Sequence, residues 1–143
     1  MGRGRRLQWR LLLALLPLVS LGGRTEAAPC ERYEPDEVVL QGALQLKAFA
    51  GPPHYTSIEF GDQPEAVWIL TLSEPICIAA LPDDDWNIAR EGVQTIEVIP
   101  RTSFSAALNG KLVQAQGSLS RAHGGHPHAE ILLRARHVAP VQP

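Results

Sequence analysis

A regular alternation of apolar and polar residues constrains the fold of this chain more than any other feature. In residues 38–49 glutamine and lysine fall at odd positions, whereas five apolar residues share the even positions: Val38, Leu40, Leu44, Leu46 and Ala48. The same alternation returns in residues 113–120 and 129–136. Because successive side chains of a strand point to opposite faces, a period of two predicts half-buried β-strands. Gly42 falls on the apolar side of the first strand, which predicts a bend or a close backbone approach there.

Five strands can be placed along the chain. They are predicted at residues 38–49, 65–78, 93–99, 113–120 and 129–136. Residues 103–108 are predicted to form a helical turn before the fourth strand, and the last two strands are predicted to pair as a hairpin. This order predicts an all-β fold: a small five-stranded, partly open barrel of the oligonucleotide/oligosaccharide-binding type with one short helix. A two-sheet sandwich is the alternative.

The first 27 residues have the composition of a signal peptide. Four arginines precede Leu11, an apolar run follows as far as Leu21, and small residues stand at positions 27 and 28. This run is about half as long as the roughly 20 residues that span a bilayer, so we expect cleavage and no transmembrane segment in the mature chain. The expected organisation is a signal peptide at 1–27, an exposed lead-in at 28–36 and a single β-barrel domain at 37–140. The expected location is periplasmic or secreted.

Charge and cysteine content narrow the classes of partner. Removal of residues 1–27 takes away five basic residues and one acidic residue, which leaves eight basic and fourteen acidic residues. The mature domain is therefore acidic, with a net charge of about −6, and this charge argues against a nucleic-acid partner. Cys30 and Cys77 are the two cysteines of the chain. In an exported domain they are expected to form a disulfide, although a buried free thiol at Cys77 is the alternative.

Three segments carry a resemblance to a known family. They are VVLQGALQLKAFAGPPHYTSIEFGDQPE, WILTLSEPICI and GKLVQAQGSLSRAHGGHPHAEILL. In this order they resemble an uncharacterised family of exported bacterial domains, domain of unknown function family 4431. The resemblance implies an exported domain with a barrel of the type described above, and no assigned activity. Members of the family tend to have a fuller run of histidines followed by threonine, where this chain has Pro127 and Ala129.

The most specific candidate site in the sequence consists of three histidines, His123, His126 and His128. Imidazoles are common ligands of zinc and copper, and three of them would suffice for an open metal site. A two-residue turn at Gly124 and Gly125 would bring the three imidazoles to one face. The apolar pattern instead favours a pairing shifted by one residue, with Leu119 opposite Ile131 and Gly117 opposite Leu133.

A bulge near Pro127 would reconcile these two pairings. His123 and His126 would then face each other while His128 points away. We therefore expect no tightly bound cofactor and at most weak zinc or copper binding. A solvated hairpin tip and a pH-sensitive contact are the alternatives.

The long connection at residues 50–64 is the second candidate site, because it holds His54 and Tyr55 between glycines and prolines. Tyr55, Ile58 and Phe60 are expected to fold back onto the barrel. The sequence has no nucleophile-elbow motif and no phosphate-binding loop, and no spacing singles out two carboxylates as a catalytic pair. Nothing in the sequence therefore supports an enzymatic function. Two hypotheses remain. The first is an exported binding module for an envelope protein, peptide or glycan, and the second is a metal-handling domain that uses the three histidines.

Overall fold

The structure is a computed structural model that describes Met1 and residues 28–142. The predicted signal peptide lies outside the described residues, apart from Met1. The strands are β1 (Glu31–Arg32), β2 (Glu37–Ala50), β3 (Pro64–Ala79), β4 (Arg90–Pro100), β5 (Lys111–Arg121) and β6 (Ile131–Pro140). The predicted helical turn is present as a short 3₁₀ helix, Ala106–Leu108, between β4 and β5. No helix in the described part of the chain is long and apolar enough to cross a membrane.

The strands close into a ring. Their bonded order is β1-β3-β2-β5-β6-β4, and β4 also pairs with β3, so β2 to β6 form a barrel. The β4–β6 pair is parallel, whereas the other pairs around the ring are antiparallel. The β3–β4 ladder shifts register between Thr71 and Ile76, which leaves the barrel partly open. The predicted all-β barrel is confirmed, and the two-sheet sandwich is wrong because the ring has no break into two sheets.

The segment at 28–36 is not wholly exposed, because Tyr33 is completely buried in the core. Its hydroxyl donates a hydrogen bond to the Ile88 carbonyl oxygen at 3.0 Å, and its backbone bridges to Leu119. The expectation of an exposed lead-in is therefore wrong at this residue. An aromatic ring among charged neighbours has no periodicity, so only the folded barrel shows where the ring packs.

The predicted disulfide is confirmed and joins β1 to β3. Glu31 lies opposite Ile78 in the parallel β1–β3 pair, and this register places Cys30 beside Cys77, to which it is bonded. A covalent link that closes a loop across 47 residues stabilises a fold by about 4 kcal/mol in the chain-entropy model. Such bonds persist in oxidising compartments.

Glycines permit two close backbone approaches inside strands. A Cβ on Gly42 would lie 2.2 Å from the Thr71 carbonyl oxygen, so the predicted close approach is confirmed. A Cβ on Gly117 would lie 2.2 Å from the Arg134 carbonyl oxygen. Beside Gly117 the β5–β6 ladder shifts register, and Arg136 is the extra residue of the bulge in β6.

The β5–β6 pairing differs from the predicted one by two residues. Leu119 lies opposite Leu133 and Gly117 lies opposite Ala135. Because the shift is even, each side chain stays on its expected face, with Leu119 and Leu133 in the core. The connection at residues 122–130 is therefore a longer loop than a two-residue turn. Pro127 lies in this loop, outside the ladder, so the bulge expected near it is not formed.

Candidate functional site

Two loops next to the outer face of the barrel form the candidate site. We call residues 51–63, between β2 and β3, the long loop, and residues 122–130, between β5 and β6, the histidine loop. In barrels of this type the corresponding loops and the face of the second and third strands hold ligands. The two loops touch here: the Tyr55 and His126 rings are stacked with centroids 3.7 Å apart.

Asp62 organises the long loop from its interior. The side chain of Asp62 is only 2 % exposed. Its carboxylate accepts hydrogen bonds from the backbone N–H groups of His54, Thr56 and Ser57, at 2.8 to 2.9 Å. The loop is closed at its base, where the Gly51 N–H donates to the Gln63 carbonyl oxygen at 2.7 Å. These hydrogen bonds connect the start of the loop to its end and satisfy its backbone groups internally.

The same hydrogen bonds keep Asp62 ionised. The backbone N–H groups of Ser57 and Thr56 lower the pKa of this carboxyl far below its ordinary value, and they outweigh the opposing effect of burial. The N–H and imidazole of His54 lower the pKa further. Asp62, near the end of the loop, therefore acts as an anionic acceptor for the N–H groups at the start of the loop.

The two predicted ligand contacts, His54 and Tyr55, have different positions. The Nδ1 atom of His54 lies 3.1 Å from Oδ1 of Asp62, while most of its side chain is exposed. Tyr55 has a left-handed backbone conformation, with φ of 58°, and is occupied by its stack on His126. Both residues lie in the long loop as predicted, but only His54 leaves most of its ring in contact with solvent.

The apolar side chains of the long loop point outward. Phe60 is 88 % exposed and Ile58 is 43 % exposed, so the expectation that they fold back onto the barrel is wrong. The interior of the loop is occupied by the buried carboxylate of Asp62 and the N–H groups that donate to it. Sequence reasoning identified both residues as apolar, but nothing in the pattern distinguished an outward side chain from an inward one.

The three histidine rings contact three different aromatic residues. His126 stacks on Tyr55, His128 stacks on Phe49 with centroids 3.9 Å apart, and His123 packs edge-on against Trp86 at 4.8 Å. The expectation that His123 and His126 face each other is therefore wrong. Each ring has its own partner because the longer loop spreads the histidines over separate parts of the surface.

The described residues contain one group of three potential metal ligands within 4.8 Å of one another: Cys30, Cys77 and Glu91. The two sulfur atoms of that group are bonded to each other, so they are not available as thiolates. The three histidines do not form such a group. The geometry thus does not bring the predicted metal ligands together.

His128 is the histidine that lies against the barrel. Its backbone N–H donates to Oε2 of Glu97 at 2.6 Å, and its Nε2 lies 3.8 Å from Oε2 of Glu65. Glu97 lies opposite Ile69 in the β3–β4 ladder. Ile69 is buried, but it points to the other face of β3 from the core residue Leu70. The histidine loop therefore covers part of the outer face formed by β3 and β4.

A polar cluster holds the base of the histidine loop. The Nε atom of Arg90 donates to Oε1 of Glu130 at 2.7 Å, and the Arg121 guanidinium lies 4.6 Å above the centre of the Trp86 ring. The hydrogen bond from Arg90 lowers the pKa of Glu130. Asp84 accepts hydrogen bonds from the backbone N–H groups of Trp86 and Asn87, and these lower its pKa. These contacts connect the loop to the turn between β3 and β4.

Comparison with known proteins finds no match to this chain among protein-family models, curated proteins or solved structures.

Proposed function

We propose that the chain is an exported binding module that holds a partner protein or peptide through the exposed apolar side chains of the long loop. The observation that carries this proposal is the conformation of the loop. Asp62 and the loop backbone fix the structure, while Phe60 stays 88 % exposed. Apolar side chains on a pre-organised loop bind with little entropic cost, and aromatic residues of this kind dominate interfaces.

The charge of the domain indicates the chemistry of the partner. Glu59 and Glu65 lie near Phe60 in the sequence, and the mature domain is acidic overall. A partner segment with an apolar side chain flanked by basic residues would match both features. We therefore favour a protein segment with basic and apolar residues over a glycan, because protein sites for glycans use flat aromatic platforms with polar groups around them.

Export is part of the same proposal. The composition of residues 1–27 supports a cleavable signal peptide, and the disulfide between Cys30 and Cys77 is of the kind that persists outside the cytoplasm. The resemblance of three segments to an exported bacterial family supports the same compartment. Mass measurement of the protein from the cell envelope should find a chain that begins at Ala28, and a chain that still carries residues 1–27 would contradict cleavage of the signal peptide.

The binding surface can be tested with a photo-activated cross-linking residue. This residue is placed near Phe60 in the expressed protein, and the trapped partner is identified and purified. Phe60→Ser should weaken binding of that partner by about 30-fold, as expected for a central interface residue worth about 2 kcal/mol. Leu112→Ser is the matched control, because Leu112 is also an exposed apolar residue but lies on β5.

The outcomes separate clearly. Retention of the partner by Leu112→Ser and loss by Phe60→Ser, with both variants folded, would support the proposal. Equal binding of the same partner by both variants would contradict it. Displacement of the partner by a neutral glycan would show that the long loop binds sugar instead of a protein segment.

A further inference from the structure

A second surface, separate from the two loops, gathers arginines around a cleft. The cleft has a volume of about 310 Å³. It is lined by Arg101, Arg134 and Arg136, with Glu37, Ser118, Ile99 and Pro100 completing the wall. The strand register explains this arrangement. Four neighbouring strands each place one residue in a row across the sheet: Ile99 of β4, Arg134 of β6, Ser118 of β5 and Glu37 of β2. Four of the lining residues therefore lie side by side on paired strands.

A bulge contributes Arg136 to this cleft. Arg136 is the extra residue of β6 beside Gly117, and bulges of this kind redirect a side chain. Gly117 permits the bulge, since a Cβ there would collide with the Arg134 carbonyl oxygen. Arg101 follows β4 directly, and its N–H donates to the Ala135 carbonyl oxygen at 3.1 Å. Backbone contacts thus hold all three arginines near one another.

The charges around the cleft are incompletely balanced. Arg136 is paired with Glu37, and Nε of Arg134 lies 3.9 Å from Oε2 of Glu34. Arg101 makes no ion pair with any residue that the structure describes. Three of the eight basic residues of an acidic mature domain therefore surround one cleft. The cleft therefore brings three guanidinium groups together against the carboxylates of Glu37 and Glu34.

We propose that this cleft binds the anionic group, a carboxylate or a phosphate, of a small ligand. Arginine presents a planar fork of donors that matches both groups. The volume is at the lower end of the range for small-ligand sites, about 300 to 1,000 Å³. Ile99 and Pro100 offer an apolar wall to the body of such a ligand. Glu37 holds Arg136, so an incoming anion competes with Glu37 for that arginine.

The test is a titration of the ¹⁵N-labelled mature domain, followed by the amide signals of Arg101, Gly117 and Ala135 at constant ionic strength. The probes are glucuronate and inorganic phosphate, and glucose is the neutral control for glucuronate. We expect saturable shifts with at least one anion and none with glucose. Arg101→Gln and Arg134→Gln should each weaken binding about 10-fold, which corresponds to the loss of one charge-assisted hydrogen bond.

Two further variants complete the design. Glu37→Gln should tighten binding by about 3-fold or more, because it removes the carboxylate that competes for Arg136. The new amide oxygen can still accept the hydrogen bond that Gln116 donates to Glu37. Arg32→Gln changes an exposed, ion-paired arginine outside the cleft and should leave binding unchanged. The proposal is overturned if neither anion gives saturable shifts, if glucose shifts the same amides, or if Arg32→Gln weakens binding as much as Arg101→Gln. Phe60→Ser should leave anion binding unchanged, so failure here is distinct from failure of the partner site.

Discussion

The imidazole of His126 stacks on the phenol ring of Tyr55, with the ring centroids 3.7 Å apart and the ring planes 14° from parallel. These two residues belong to different loops and are separated by three strands of the chain. Their contact joins the long loop to the histidine loop beside the outer face of the barrel. The candidate site therefore depends on a pair of side chains that neither loop could position alone.

A double-mutant cycle measures this contact. We expect the unfolding free energies of Tyr55→Ala, His126→Ala and the double variant to give a coupling of about 0.5 to 1.5 kcal/mol, as for other stacked rings. Urea unfolding is the measurement. Lys111 is an exposed residue at the start of β5, outside both loops, so the Lys111→Ala and His126→Ala pair should be additive. A coupling near zero for Tyr55 and His126 would mean that the loops are independent.

Gly117→Val tests the close approach between β5 and β6. A side chain at Gly117 would begin 2.2 Å from the Arg134 carbonyl oxygen, so the strands must separate or the bulge must be lost. We expect destabilisation of about 1 to 3 kcal/mol or more in urea unfolding. Gln114→Lys, at an exposed position of the same strand, should change stability by no more than about 0.5 kcal/mol. Similar values for the two variants would show that Gly117 is not constrained.

Asp62 should contribute a pH-dependent part of the stability. Its pKa is lowered in the folded state by the N–H groups of Ser57 and Thr56, so its stabilisation is complete above its ordinary pKa of about 4 and is lost as the pH falls below that value. Asp62→Asn should be less stable than the native chain at pH 7, and the difference should shrink below pH 4. Thermal unfolding across this range is the measurement. Asp85→Asn, which changes an exposed carboxylate, serves as the control, and a constant difference for Asp62→Asn would refute this role.

Zinc binding to the histidine loop should be weak. The rings of His123, His126 and His128 contact three different aromatic residues, so binding at one ion would break these contacts. We expect dissociation in the micromolar range or weaker, because tight zinc sites need at least three converging protein ligands. Calorimetric titration of the tag-free domain decides the point. Tight binding of one zinc ion that each single His→Ala change abolishes would show that the loop rearranges into a metal site.

Much of the fold could be predicted because strand periodicity is a local property. The alternation around Leu44 and Leu119 identified their strands and their buried faces, and both residues are fully buried. The pairing of β5 with β6 was misplaced by two residues, since a register depends on where a loop ends as well as on the apolar pattern. Tyr33 was missed because a single ring in a polar segment has no period.

The candidate site was predicted only in outline. His54, Tyr55 and the three histidines were identified as unusual residue types, and the structure places them in the two loops beside the outer face. Asp62 was missed, because an aspartate in a turn-rich segment looks like any solvated carboxylate until its partners are known. The arginines of the cleft were also missed, since Arg101 is far in sequence from Arg134.

The sequence by itself determined the alternation that makes this chain a β-barrel, the close backbone approach at Gly42, and the two cysteines that could be joined. These properties follow from residues close together in the chain or from composition alone. Only the tertiary structure decided that Phe60 faces solvent, that His126 meets Tyr55, and that Arg101 joins Arg134 at one cleft. The reason is physical: such contacts depend on strand register and loop length across the whole barrel, which no local pattern encodes.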